Sequence, residues 1–247
     1  MISFRGVEKA FGPKRVLRGV SFDVQAGEVF FIIGASGVGK SVLIKHLIGL
    51  LRPDGGEIWL DGEEVSRFDE RRMYAVRKKC AMVFQHSTLF DSMTCAENVA
   101  LPLRKHRGLR PREALAEARR RLQQVQMAEF GDRFPSELGD GMRKRVAIAR
   151  ALTLEPRYVL FDEPTTSLDP VSARRVDALI RRLSDELGVT SIVVSHDLVS
   201  IFTVADRIVM LYNGDVRLLG TPADFRAADD GVIQQFIHGR AEGPMEA

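Results

Sequence analysis

Two short stretches of this 247-residue chain combine residue types and spacing suited to phosphate chemistry: GASGVGKS at Gly34–Ser41, and YVLFDE at Tyr158–Glu163. In the first, Gly34, Gly37 and Gly39 let backbone N–H groups turn inward around phosphates, with Ser36 and Val42 completing the cradle. The N-terminus of a following helix adds positive potential, Lys40 reaches the β- and γ-phosphates of a nucleotide, and Ser41 offers its hydroxyl to Mg²⁺. In the second, Asp162 is placed to hold the same cation and Glu163 to polarise the water that attacks the γ-phosphate. An apolar run ending in Asp-Glu is weak evidence alone, because acids often end strands for solubility. The glycine pattern is stronger, since composition alone yields it in roughly one chain in a hundred of this length, and the two reinforce each other.

Positioning such groups requires a strand that delivers the glycine loop and a helix that leaves it. VFFII at Val29–Ile33 and VLIKHLIGL after Ser41 have those patterns. Tyr158–Phe161 and Ser191–Val194 are two more short apolar, β-rich runs, as buried parallel strands are. Ile2–Phe4, Val20–Val24 and Glu57–Leu60, the last followed by an Asp61–Gly62 turn, suit short antiparallel strands. The fold class is therefore α/β, with a parallel core and a small antiparallel β subdomain. From 88 to 155 Arg and Ala dominate, Pro111 opens the helix-like REALAEARRRLQQVQM, and no strand is evident, which predicts a helical insert. One domain is expected, with 1–87 and 156–222 forming the core and β subdomain, 88–155 the helical subdomain and 223–247 a C-terminal tail whose closing AEGPMEA has weak structural signals.

Composition narrows the function classes. Lys+Arg 36 against Asp+Glu 33 gives a net charge of +3, too small an excess to argue for nucleic acid, so no nucleic-acid partner is expected. Cys80 and Cys95 lack further Cys or His at metal-ligand spacing and read as buried, inert thiols. The N-terminus carries charges where a signal peptide needs an apolar stretch, and the apolar runs are strand-sized, so work at a membrane would proceed through a partner.

Gly34–Ser41, Gln85, LGDGM at Leu138–Met142, Asp162–Glu163, SLD at Ser167–Asp169 and His196 fall in the order of an ABC-type ATPase, which the chain resembles along nearly its whole length. That resemblance implies a RecA-like core and a homodimer sandwiching two Mg-ATP. It makes Lys40, Glu163, His196 and Gln85 the catalytic set, and Ser41, Gln85 and Asp162 the Mg²⁺ ligands. Gln85 would hinge between core and helical subdomain, His196 would touch the γ-phosphate, and Ser167–Asp169 would cross the dimer interface. Gly139 and Gly141 of one subunit would face the nucleotide held by the other. Phe11, followed by Gly12, resembles the aromatic that stacks on adenine; an ordinary core phenylalanine is the other reading. His46, His86, His106 and His238 read as surface or packing residues.

The signature departs from the family's usual LSGGQ or LSGGM. Gly139 replaces a serine whose hydroxyl would meet phosphate, and Asp140 replaces a glycine. Were Asp140 aimed at the triphosphate, like charges about 4 Å apart at an effective dielectric near 20 would cost on the order of 4 kcal/mol before screening. Alternatively, Asp140 caps a helix beginning at Gly141, with Arg143 or Lys144 nearby. Both readings imply hydrolysis that is slow or dependent on a partner.

QHSTLFDSMTCAENVALPLR after the glutamine, Met142, RKRVAIARAL and the closing FIHGRAEGP are similar to the Mla-type, Mce-associated lipid transport ATPases of Gram-negative envelopes. The resemblance implies a peripheral position on the cytoplasmic face of the inner membrane. It also implies permease subunits, an Mce-domain lipid-binding protein and often a small STAS-domain protein, in phospholipid movement between inner and outer membranes. Leu89–Phe90 would line the groove for the permease's coupling helix, or merely pack the insert, and Phe236–Pro244 would pack across the dimer interface. Another importer or exporter ATPase, for amino acids, metals or lipoproteins, shares every core motif. A non-transport ABC ATPase fits less well, because the chain has one cassette and no long coiled-coil insertion.

Overall fold

The structure, a computed structural model that describes residues 1–245, begins with two strands, β1 (Ile2–Phe11) and β2 (Lys14–Val24), and continues through β3 (Val29–Ile33), α1 (Lys40–Leu47), β4 (Gly55–Leu60), β5 (Glu63–Glu64), α2 (Glu70–Lys79) and β6 (Cys80–Val83). Three helices follow, α3 (Cys95–Arg107), α4 (Pro111–Gln124) and α5 (Asp140–Leu152), before β7 (Tyr158–Asp162), α6 (Pro170–Leu187), β8 (Thr190–Val194), α7 (Leu198–Val204), β9 (Arg207–Tyr212), β10 (Asp215–Gly220), α8 (Pro222–Ala227) and α9 (Gly231–His238). Of the expected tail 223–247, the last two residues, 246 and 247, lie outside the described residues.

Six strands form the central sheet in the order β10-β9-β3-β8-β7-β6, parallel except for β10 against β9. Successive side chains of a strand point to opposite faces, so a strand covered on both sides is apolar throughout. On β3, Val29, Phe31 and Ile33 enter one core with residues of α3, α5 and α6, whereas Phe30 and Ile32 enter a second core with residues of α1 and the antiparallel sheet. That second sheet, β2-β1-β4-β5, is antiparallel, and β1 and β2 run much further than the segments Ile2–Phe4 and Val20–Val24. Strands β6 and β9 carry no sequence expectation: CAMV is short, and RIVMLY follows a helix whose apolar residues blur its start.

Between 88 and 155 the regular structure is helical. Helix α3 opens on a capping box, with Thr94 and Glu97 each bonded to the other's backbone, and α4 opens on Pro111, where a missing N–H costs nothing. Cys80 and Cys95 are buried, as expected, and burial pushes their thiols up to about 12 and about 11.

Candidate active site

The glycine loop leaves β3 and enters α1, and its path depends on backbone geometry that a side chain would obstruct. Gly34 has φ 139°, and a Cβ there would stand 2.3 Å from the Leu211 carbonyl oxygen. Gly39 has φ 106°, and a Cβ would stand 2.6 Å from the Leu17 side chain. Ser36 and Gly37 lie exposed at the crest of the loop, and Val42 packs part-buried behind it. The Lys40 ammonium is buried and donates to the carbonyls of Gly34 at 2.8 Å and Ala35 at 2.9 Å, leaving one proton uncommitted. Burial pulls its pKa down, against the nearby charges of Glu163 and Asp162.

Parallel pairing of β8 with both β3 and β7 brings the carboxylates beside this loop. The Ser41 hydroxyl donates to Asp162 Oδ1 at 2.5 Å. Glu163 has φ 52°, a left-handed conformation that costs a residue with a Cβ on the order of 1–3 kcal/mol, and its N–H donates to the Val194 carbonyl at 2.9 Å. Thr166 donates to Glu163 Oε2 at 3.1 Å, and the same oxygen lies 2.8 Å from His196 Nδ1. The His196 side chain is 62% exposed, so its ring stands open to water beside this carboxylate. A carboxylate next to a water-accessible imidazole is suited to accepting a proton from water. Asp197 caps α7 through the N–H groups of Val199 and Ser200 and also binds the Arg174 guanidinium, which fixes the residue after His196.

Lys40, Ser41, Asp162, Glu163 and His196 therefore form one cluster. Gln85 lies exposed at the start of the loop after β6, in a cleft that Asp140, Lys144 and Ser167 also line. Phe11, at the end of β1, is 47% exposed with the Lys9 ammonium 5.5 Å from its ring centroid, so it is not a core phenylalanine. Gly139, Asp140, Gly141 and Asp169 line another cleft, in which no member of the Lys40 cluster takes part. Asp169 caps α6, accepting from Val171 and Ser172 N–H groups at 3.0 Å each, and the Ser172 side chain and these N–H groups hold its pKa low. Gly141 presses on the same helix, for a Cβ there would stand 2.7 Å from Ser172 Cβ.

The expected capping role of Asp140 is corrected by the structure. Helix α5 starts one residue earlier, at Asp140 itself, with Gly139 in the cap position and no side-chain cap. The Asp140 carboxylate is 62% exposed and paired with the Arg143 guanidinium, because a first-turn acid and a cation three residues on share one helix face. Sequence reading missed the task of Lys144. Its spacing with Ile148 and Leu152 placed it on the buried stripe of α5, a legible signal for a lysine with an internal partner.

A strand–glycine loop–helix cradle with a buried lysine, a hydroxyl–carboxylate pair and a Glu–His pair at the C-terminal ends of interior parallel strands defines a P-loop nucleoside triphosphatase. Residues 17–166 match the family described as ABC transporter, and the chain belongs to that family. It is an ABC-type ATPase, the ATP-binding subunit of a transporter. It is 36% identical over 245 residues to the intermembrane phospholipid transport system ATP-binding protein MlaF of Escherichia coli K12, covering 99% of this chain and 91% of that protein. It is 37% identical over 244 residues to the probable ribonucleotide transport ATP-binding protein mkl of Mycobacterium leprae, covering 99% and 70%. Among solved structures it resembles the dimeric ATP-binding cassette MJ0796 bound to ADP and Pi, with TM-score 0.81 and 32% identity over 90% of this chain and 99% of that one. The cbiO1 structure from Clostridium perfringens, part of the ABC transporter complex cbiONQ, gives TM-score 0.84 and 26% identity over 97% and 95%. Among the described residues, no helix is long and apolar enough to cross a membrane.

Proposed function

We propose that this chain is the ATPase of a phospholipid transporter, acting as a homodimer on the cytoplasmic face of an inner membrane. It would drive separate permease subunits that work with an Mce-domain protein and often a STAS-domain protein. The observation that carries this reading is the 36% identity to MlaF along 91% of that protein. The similar identity to a probable ribonucleotide transport protein keeps a second cargo in play.

In this reading the phosphates lie on the N–H groups of 34–41, with Lys40 exchanging loop carbonyls for phosphate oxygens and Phe11 stacking on adenine. The Ser41 hydroxyl and Asp162 carboxylate, 2.5 Å apart, are hard oxygen donors that fit Mg²⁺, with the Gln85 amide as a further ligand. When bound, the cation would neutralise charge on the β- and γ-phosphates. Glu163 accepts the proton of the attacking water, and His196, oriented by Glu163, presents Nε2 to the γ-phosphate. Gly139, Gly141 and Asp169 act on the partner subunit's nucleotide, in keeping with their separation from the Lys40 cluster within one chain. Residues 88–155 form the helical arm that carries them, and the 50%-exposed Phe90, with Leu89, supplies apolar surface for a permease helix.

The test is ATP hydrolysis by the purified chain, alone and with its co-purifying membrane partners in lipid vesicles. Turnover greatest in the complex, and reduced at least a hundredfold by Glu163→Gln, is expected; equal turnover in wild type and Glu163→Gln would overturn the assignment of the base. Movement of labelled phospholipid, and none of labelled ribonucleotide, by the same vesicles identifies the cargo.

A further inference from the structure

Lys144 is 2% exposed and, among the described residues, stands in no ion pair with a carboxylate. Keeping an ammonium out of water is costly unless its protons are bonded, and a methionine of similar length would fill the same stripe of α5 without that cost. The ammonium instead donates to two successive carbonyls of the neighbouring loop, Phe84 at 3.0 Å and Gln85 at 2.5 Å. One cation on two successive carbonyls fixes the two peptide planes that meet at the Gln85 Cα, and with them the direction in which the Gln85 side chain leaves the backbone. Six residues along the same helix, the Arg150 guanidinium holds the carbonyls of Ser87 at 3.4 Å and Thr88 at 2.9 Å. Thr88, at φ 48°, is held in a conformation that calls for such support.

Helix α5 thus grips the Gln85 loop at two points, and LGDGM lies at its N-terminus. An α-helix moves as a rod, about 1.5 Å per residue, so displacement of its signature end carries Lys144, one turn in, along with it. We propose that Lys144 is a positioning residue through which the LGDGM end of α5 sets the placement of Gln85 at the chain's own nucleotide site, linking what that end meets on the partner's nucleotide to the chemistry at its own. This rests on the reading of Gln85 and LGDGM given above.

The experiment compares Lys144→Met and Lys144→Arg with wild type, using the full chain with its membrane partners in lipid. Expected for Lys144→Met are trinitrophenyl-ATP affinity and ATP KM within about threefold of wild type, kcat lowered at least tenfold, and amide hydrogen exchange over 84–88 faster by at least tenfold with α5 unchanged. Lys144→Arg, which keeps a charged donor, restores kcat to within about threefold. Unchanged exchange over 84–88 in Lys144→Met overturns the proposal whatever the hydrolysis rates. So does a kcat equal to wild type, or a fall in kcat matched by lost nucleotide affinity. Wild-type turnover no greater than that of Glu163→Gln would instead count against the catalytic reading, with the exchange result still deciding the contact.

Discussion

Glu163 combines a left-handed backbone, a hydrogen bond from Thr166 and contact with His196, so three separate constraints fix the carboxylate that would take a proton from water. Asp140 is less constrained, exposed and tied only to Arg143 on its own helix. Its charge would meet a partner's triphosphate through water, so the repulsion is well below the low-screening limit. Gly139→Ser with Asp140→Gly should raise kcat for ATP about three- to tenfold, equivalent to about 1 kcal/mol of barrier. A steady-state assay giving an unchanged rate would mean that Gly139 and Asp140 do not limit turnover.

At the scale of elements, α5 and the C-terminal segment do the connecting. After α9 the backbone folds back on its own chain: the Tyr212 hydroxyl donates to the Pro244 carbonyl at 3.2 Å, and the Met245 N–H donates to Gln235 Oε1 at 2.7 Å. Gln235 is buried, and its amide also donates to the Arg240 carbonyl, so one side chain organises the turn. The proposed role of Phe236–Pro244 across the dimer interface builds on this ordered shape. Truncation after Gly239 should leave the monomer folded and weaken self-association by at least tenfold in sedimentation of the ATP-bound Glu163→Gln protein. Unaltered association would confine the segment to its own chain.

The whole molecule needs its two cores intact, and His46 sits inside one of them. In the last turn of α1, its ring is 2% exposed, and burial drives its pKa down to about 4, with the backbone of Leu51 opposing only in part. Above about pH 6.5 neither folded nor unfolded chain protonates this ring, so its contribution to stability is constant. As the pH falls from about 6.5 toward 4, the unfolded chain binds a proton that the folded chain resists, and stability is lost, by up to about 3 kcal/mol. His46→Leu should flatten this limb: its melting temperature should fall less between pH 7 and pH 4.5 than that of wild type. Parallel pH dependence in the two proteins would assign the acid limb elsewhere.

What the sequence determined by itself was local. The glycine loop, the Asp162–Glu163 strand end and the helical character of 88–155 were legible because each is a short-range pattern with its own physical cause: positive φ, strand burial, helix-forming composition. Tertiary structure alone decided what those patterns meet. Nothing along the chain brings residue 41 to residue 162, or 163 to 196, until parallel pairing places β8 between β3 and β7. Nor could spacing show that Lys144 would spend its charge on the carbonyls of Phe84 and Gln85, sixty and fifty-nine residues away. These outcomes follow from long-range packing, which leaves a buried donor only the acceptors that other elements bring within reach.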